Sequence, residues 1–272
     1  MNIALLHPGQ MGSSVGDALV DSGHQVGWCS AGRSEASRNR AIAFTECENL
    51  EELLVWAECA ICICPPEDAL AQAKLVAEVD FSGIYLDGNA VAPNTAAQIA
   101  ALFGDRYVDG GIIGPPARQS GTTRLYVSGG NASEIVELFT QGCLECLAVE
   151  GDVYAASNLK MAFAAYTKGS SALLMAVNAL AKAAGVDEAL KAEWAISQPK
   201  LAGQSELTAP AIAPKAWRFA GEMQEIARTF QLHGLPDGFH KGAHDLYARL
   251  SEFKDQPGVT LDMVLSELVK RD

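Results

Sequence analysis

The sequence predicts an α/β protein: a Rossmann-type doubly wound parallel sheet, then one long connecting helix and an all-α C-terminal domain. Three observations carry this. Over the first 150 residues short apolar runs alternate with amphipathic stretches of helical length, the pattern of a parallel sheet covered on both faces. Asp152 to Gly185 is rich in Ala, Leu and Met, free of Pro and closed by a glycine, so it reads as one helix on the order of 48 Å long. Beyond Asp187 only helical periodicity remains. The division is therefore an α/β domain over 1–151 and an all-helical domain over 152–272.

The first strand is Asn2 to Leu6, followed by a turn through His7, Pro8, Gly9, Gln10, Met11 and Gly12 and a helix to about Ser22. A pyrophosphate rests against backbone N–H groups at a helix N-terminus; one glycine allows its close approach and another allows tight helix packing. Gly9 and Gly12 meet both needs, while His7 stands where the usual first glycine would be; a plain turn is the competing reading. The second strand, Gln25 to Ser30, leads into Ser30, Arg33 and Ser34, with Arg38 and Arg40 beyond. An acid at this strand end would hold the ribose 2′-hydroxyl of NAD, whereas an arginine accommodates the 2′-phosphate of NADP. No acid precedes Glu35, so NADP (NADPH) is the expected cofactor, against the alternative of a solvated basic turn.

Alternation continues with a strand Ala60 to Cys64 ending at Pro65 and Pro66, a helix Glu67 to Val79, a strand Ile84 to Asp87, and a helix Pro93 to Phe103 opened by its proline. Ligands of such sheets lie at strand carboxyl ends, which puts Gly9, Arg33, Cys64, Pro65 and Asn89 on one rim. Strands are expected at Tyr107 to Asp109, Leu125 to Ser128 and Cys143 to Val149, with a helix from Ala132 to Gln141. Gly110 through Pro116 reads as a rigid loop that holds a ligand.

The chain has 272 residues, 49% of them hydrophobic, enough for a sizeable core. Its net charge of −13 disfavours nucleic-acid backbones and anionic membrane surfaces. Met1 to Leu6 runs into an apolar strand without a basic leader, and seven cysteines, Cys62 and Cys64 among them in an apolar run, suit buried thiols in a reducing cytoplasm. A zinc site from Cys59, Cys62, Cys143 and Cys146 is disfavoured because each pair falls in or beside a strand. His240 and His244 share a helix face without an acidic partner and are expected to be an exposed pair. No metal is expected.

On the long helix Lys160, Thr167, Ser171 and Asn178 form a narrow polar stripe, either a solvated edge or a lysine aimed into a cleft. The ordered set formed by the Gly9–Gly12 turn, Pro65 and Pro66, the Asp87–Pro93 segment, the glycines after Asp109 with Gly121 and Gly130, and Lys160 early in a long helix resembles the β-hydroxyacid dehydrogenase and 6-phosphogluconate dehydrogenase superfamily. Arg218, Phe219, Glu222, Met223, Glu225 and Ile226 are similar to a helical C-terminal domain of one of its branches. The resemblance implies a nicotinamide-dependent oxidoreductase acting on a small hydroxy/oxo compound, with Lys160 as catalytic acid/base. It implies cofactor contacts from Gly9, Gln10, Met11, Ser30, Arg33, Ser34, Cys64, Pro65 and Asn89, and substrate contacts from Gly111, Ile112, Ile113, Gly114 and Glu222. Ile113 stands where hydroxyacid enzymes keep a serine, and Ala164 where they keep an asparagine. An imine reductase on the same scaffold and a non-catalytic NADPH sensor are the alternatives.

The C-terminal helices are expected at Asp187 to Ile196, Pro214 to Phe230, Asp237 to Phe253 and Thr260 to Val269. So thin a bundle leaves much of the long apolar helix uncovered, which predicts a homodimer.

Overall fold

The computed structural model describes residues 1–270, the side chain of Ala202 aside. The chain divides into two compact units, Met1–Met161 and Ala162–Asp272.

The first unit is built on eight strands: β1 (Asn2–Leu5), β2 (Gln25–Cys29), β3 (Thr45–Cys47), β4 (Cys59–Cys62), β5 (Ile84–Asp87), β6 (Tyr107–Ile113), β7 (Thr123–Ser128) and β8 (Leu144–Ala148). Their order in the sheet is β3-β2-β1-β4-β5-β6-β7-β8. Helices α1 (Gln10–Asp21), α2 (Glu35–Arg40), α3 (Leu50–Trp56), α4 (Pro66–Ala77), α5 (Pro93–Phe103) and α6 (Ala132–Glu137) connect them. The period-two pattern of the strands decides which side chains cover which face. Ile3, Leu5 and Ile61 join Val15, Leu19 and Trp28 in one core, while Ala4, Ala60 and Cys62 join Leu53, Tyr85 and Ile99 in the other. The chain leaves β1 towards β2 on one side and returns at β4 on the other, so the crevice at the carboxyl ends of β1 and β4 is the switch point where such sheets take ligands.

The sheet is parallel except where β6 meets β7, which pair antiparallel. The expected Gly110–Pro116 loop is instead strand as far as Ile113. Gly110 and Gly111 do not break the strand because they serve close packing: a Cβ on Gly110 would lie 2.9 Å from the Asp87 carbonyl oxygen, and one on Gly111 2.8 Å from that of Ala156. The turn comes at Gly114, whose φ of +129° is open to glycine.

The long helix α7 (Ala155–Ala184) starts three residues later than its sequence pattern, because Asp152 and Tyr154 form a turn in which Asp152 Oδ1 accepts from the Tyr154 N–H. The second unit continues through α8 (Asp187–Ser197), α9 (Leu201–Ile212), α10 (Ala216–Leu232), α11 (Gly238–Arg249) and α12 (Leu261–Leu268). Helix α9 was not legible, since Gly203 and Pro210 interrupt its pattern; Pro210 sits in the last turn. Met223, Ile226, Tyr247, Leu250 and Val264 form the core of this unit. His240 departs from the expected exposed pair: it is 5% exposed, with its ring 4.2 Å from that of Phe230, and burial holds its pKa down. His244 is half-buried between the Ala220 carbonyl and the Gln224 amide.

Candidate functional site

At the switch point α1 begins with no side-chain cap and no acid in its first turn, so its leading N–H groups and positive dipole end are left to an anion. Gly9 is the N-cap, and nothing lies within 4 Å of where its Cβ would be, whereas a Cβ on Gly12 would run into the His7 carbonyl oxygen. One glycine leaves room for a ligand and the other lets the helix pack against the end of β1. The cradle fits a pyrophosphate at Gly9, Gln10 and Met11.

Beside it, the basic loop after β2 folds over the same strand ends. Arg33 Nη2 donates to the Leu6 carbonyl at 3.2 Å, and Arg33 makes no ion pair among the described residues. Arg38 is spent differently: it pairs with Glu46 at 2.8 Å and donates to the Ser30 carbonyl. Ser30 and Arg38 together hold the Glu46 carboxyl below the usual range. Ser34 caps α2 by accepting from the Ser37 N–H, and Arg40 donates to the Pro8 carbonyl. An acid from β3 thus reaches this corner although none lies on the β2 loop; its distance in sequence hid it.

The strand ends are floored by buried polar groups that the sequence reading did not single out, apart from Asn89, Cys62 and Cys64. Asn89 holds two loops together: its Oδ1 accepts from the Cys64 N–H at 2.5 Å, and its Nδ2 donates to Asp87 Oδ1 at 2.5 Å and to Cys62 Sγ at 3.5 Å. Burial pushes the Asp87 carboxyl well up, helped by the neighbouring Cys62 and Asp109. Asp109, its register neighbour on β6, is raised to about 6 by burial, against the opposing pull of Ser157. The Asp109 carboxylate accepts from the Ser157 N–H at 2.7 Å and its hydroxyl at 2.5 Å, so it anchors the N-terminus of α7 to the sheet. Ser128 Oγ accepts from the Ala156 N–H at 3.0 Å in the same turn. The Cys62 and Cys64 sulfurs are 3.7 Å apart, and the contact holds the Cys62 thiol well down and lifts that of Cys64.

One turn further along α7, Lys160 Nζ donates to the Ile112 carbonyl at 2.6 Å. The lysine therefore sits against β6, and of the polar stripe neither end is a solvated edge: Asn178 is buried and donates to Ser205 Oγ at 3.0 Å. The remaining expected residues scatter. Pro65 is the N-cap residue of α4; Ile112 and Ile113 are buried on β6; Gly114 is the turn after it. Glu222 lies in the helical unit, where it pairs with Lys168 at 2.8 Å with both side chains largely covered.

A family model described as a domain of unknown function, DUF1932, matches residues 181–250. An uncharacterised 28.5 kDa protein of the 7S RNA 5′ region of Methanothermus fervidus is 29% identical over 195 residues, covering 70% of this chain and 75% of its own. Among solved structures, the conserved protein MTH1747, of unknown function and described as structurally similar to 3-hydroxyacid dehydrogenases, matches with a TM-score of 0.68 and 23% identity over 93% of this chain and 98% of its own. A Mycobacterium tuberculosis 3-hydroxyisobutyrate dehydrogenase matches with a TM-score of 0.67 and 15% identity over 99% of both chains. This chain has the 3-hydroxyacid dehydrogenase-like fold. A Streptomyces aurantiacus imine reductase shares it more distantly, at a TM-score of 0.51 and 18% identity over 99% of this chain and all of its own. Within the 3-hydroxyacid dehydrogenase-like fold, the α1 cradle, the Arg33 loop and Lys160 all belong to the first compact unit.

Proposed function

We propose that the protein is an NADP-dependent oxidoreductase that interconverts a small hydroxy compound and its oxo partner, with Lys160 as general acid/base. The observation that carries this reading is the uncapped N-terminus of α1 beside an arginine that makes no ion pair among the described residues. Gly9, Gln10 and Met11 would hold the pyrophosphate and Arg33 the 2′-phosphate. Bound there, the nicotinamide supplies or accepts hydride.

The protein's own task is the proton. Ile112 takes one hydrogen bond from Lys160 and fixes where Nζ points, and the Asp109 anchor fixes the helix turn that carries it. A carbonyl oxygen within reach of Nζ would receive a hydrogen bond and then a proton as negative charge develops; in the reverse direction the free amine would take the hydroxyl proton. Ile113 is apolar where hydroxyacid enzymes keep a serine, which supports a substrate other than a small 3-hydroxycarboxylate. Among the described residues no helix is long and apolar enough to cross a membrane. The cysteines, all unpaired, fit a reducing compartment, and we place the protein in the cytoplasm.

A homodimer is part of the same proposal. Phe163, Tyr166, Leu173 and Leu180 are exposed along α7, an apolar row that a second copy would cover.

The test is to titrate NADPH and NADH, then follow absorbance loss with aldehydes, 2-oxo acids, 3-oxo acids and cyclic imines. Turnover of an oxo compound with NADPH supports the reading. Turnover of imines alone would make it an imine reductase, and tight NADPH binding with no turnover a sensor.

A further inference from the structure

The glycine turn and the end of β4 bring together three groups that take no part in the proposed hydride and proton transfer, although Cys64 is also an expected cofactor contact. His7, Cys62 and Cys64 each offer one ligand atom, and these atoms all lie within 4.8 Å of one another. His7 follows β1, Cys62 ends β4 and Cys64 lies two residues on, so the neighbouring parallel strands bring the histidine to the cysteine pair. We propose that these three residues form a binding site for a thiophilic divalent cation, zinc in the first instance, with a fourth position left open.

Three separate features support it. The Cys62 and Cys64 sulfurs are 3.7 Å apart, while two thiolates at about 2.3 Å from a tetrahedral zinc lie roughly 3.8 Å from each other. The two sulfurs therefore already stand at the edge length of a zinc tetrahedron. The His7 ring is in hydrogen-bond contact with Cys62, and its buried Nδ1 has no partner among the described residues, an arrangement that costs free energy unless something occupies the nitrogen. Asn89 Nδ2 donates to Cys62 Sγ at 3.5 Å, the kind of outer partner that orients a ligand and offsets thiolate charge, and Asn89 is itself fixed by the Cys64 N–H. Cys59 and Cys146 are as deeply buried but belong to no such group among the described residues.

Softness selects the metal. Two sulfurs and an imidazole favour zinc over magnesium or calcium, which take oxygen ligands. On binding, the ion displaces the two thiol protons to solvent, and two thiolates balance its charge. Three protein ligands with one open position is the arrangement of zinc sites that take a water or an exogenous group.

The experiment uses the full reduced chain, stripped with chelator and titrated with Zn²⁺ alone against a chromophoric competitor, with Co²⁺ as a spectroscopic probe. We expect one equivalent bound with submicromolar affinity, and a thiolate-to-Co²⁺ charge-transfer band with the intensity of a tetrahedral site. Cys64→Ser and His7→Gln should each weaken zinc at least tenfold, with Cys146→Ser unchanged. Cys62 is fully buried and its variant is at risk of misfolding, so the half-buried Cys64 and His7 carry the test, with circular dichroism to confirm that each variant is folded. Stoichiometry spread over several thiols, affinity unchanged in Cys64→Ser and His7→Gln, or a Cys62–Cys64 disulfide in place of metal uptake would each overturn the proposal. None of these readouts involves NADPH, so the site and the oxidoreductase reading stand or fall separately.

Discussion

Lys160 Nζ lies 2.6 Å from the Ile112 carbonyl oxygen, a bond between the first turns of a long helix and a strand 48 residues earlier. A solvated-edge lysine would have no such tether. If Lys160 is the acid/base, Lys160→Ala leaves NADPH affinity near wild type and lowers kcat by roughly 10² to 10⁴. Lys160→Arg keeps the charge with a different shape and should rescue poorly. Steady-state kinetics on any substrate the wild type turns over decides it; full activity in the alanine variant would leave the catalytic acid elsewhere.

The same approach depends on Gly111, where an added Cβ would sit 2.9 Å from Lys160 Cβ and 2.8 Å from the Ala156 carbonyl oxygen. Gly111→Ala should destabilise the fold by about 1 to 3 kcal/mol and also lower kcat, although it removes no functional group. Denaturant midpoints and kcat measured together check this; loss of stability with unchanged kcat would uncouple the strand from the lysine.

Arg33 is the cofactor discriminator in the proposal. Losing one charge-assisted contact to a phosphate is worth about 1.5 to 3 kcal/mol, roughly 10- to 150-fold in affinity. Arg33→Ala should therefore weaken NADPH by that factor and leave NADH nearly unaffected, as read by fluorescence titration. Arg38→Ala should discriminate less, because Glu46 already balances that charge.

Asp109 gives a pH signature. Burial raises its folded pKa from the ordinary 3.8 to about 6, so the native state holds its proton more tightly than the unfolded chain does. The stabilisation is complete below pH 4 and is lost as pH rises through about 6. Asp87 is shifted in the same direction. Urea midpoints between pH 4 and 7.5 should show wild type losing stability relative to Asp109→Asn as pH rises; parallel curves would refute the assignment.

The proposed dimer predicts a mass twice 28.7 kDa by light scattering at micromolar concentration. Leu173→Asp on the exposed row of α7 should shift the species towards monomer without unfolding it; an unchanged oligomer would place the interface elsewhere.

Strand β5 and helix α5 were legible to the residue, because an apolar run flanked by glycine and aspartate, and a proline at a first helical turn, are local signals. The turn before α1 and the turn after β2 were legible as turns for the same reason: turn chemistry is written in adjacent residues. Strand β6 was not. A glycine pair in sequence reads equally as a turn or as a place where another backbone comes close, and only the packing of α7 and β5 against Gly111 and Gly110 chose the second. Periodicity likewise put His240 on a helix face but could not say which face Phe230 would cover. The burial of Asp87 and Asp109, and the meeting of His7 with Cys62 and Cys64, follow from which strands are neighbours in the sheet. Strand order is set by long-range pairing, and desolvation and ligand geometry follow from it, so no local pattern in the chain encodes them.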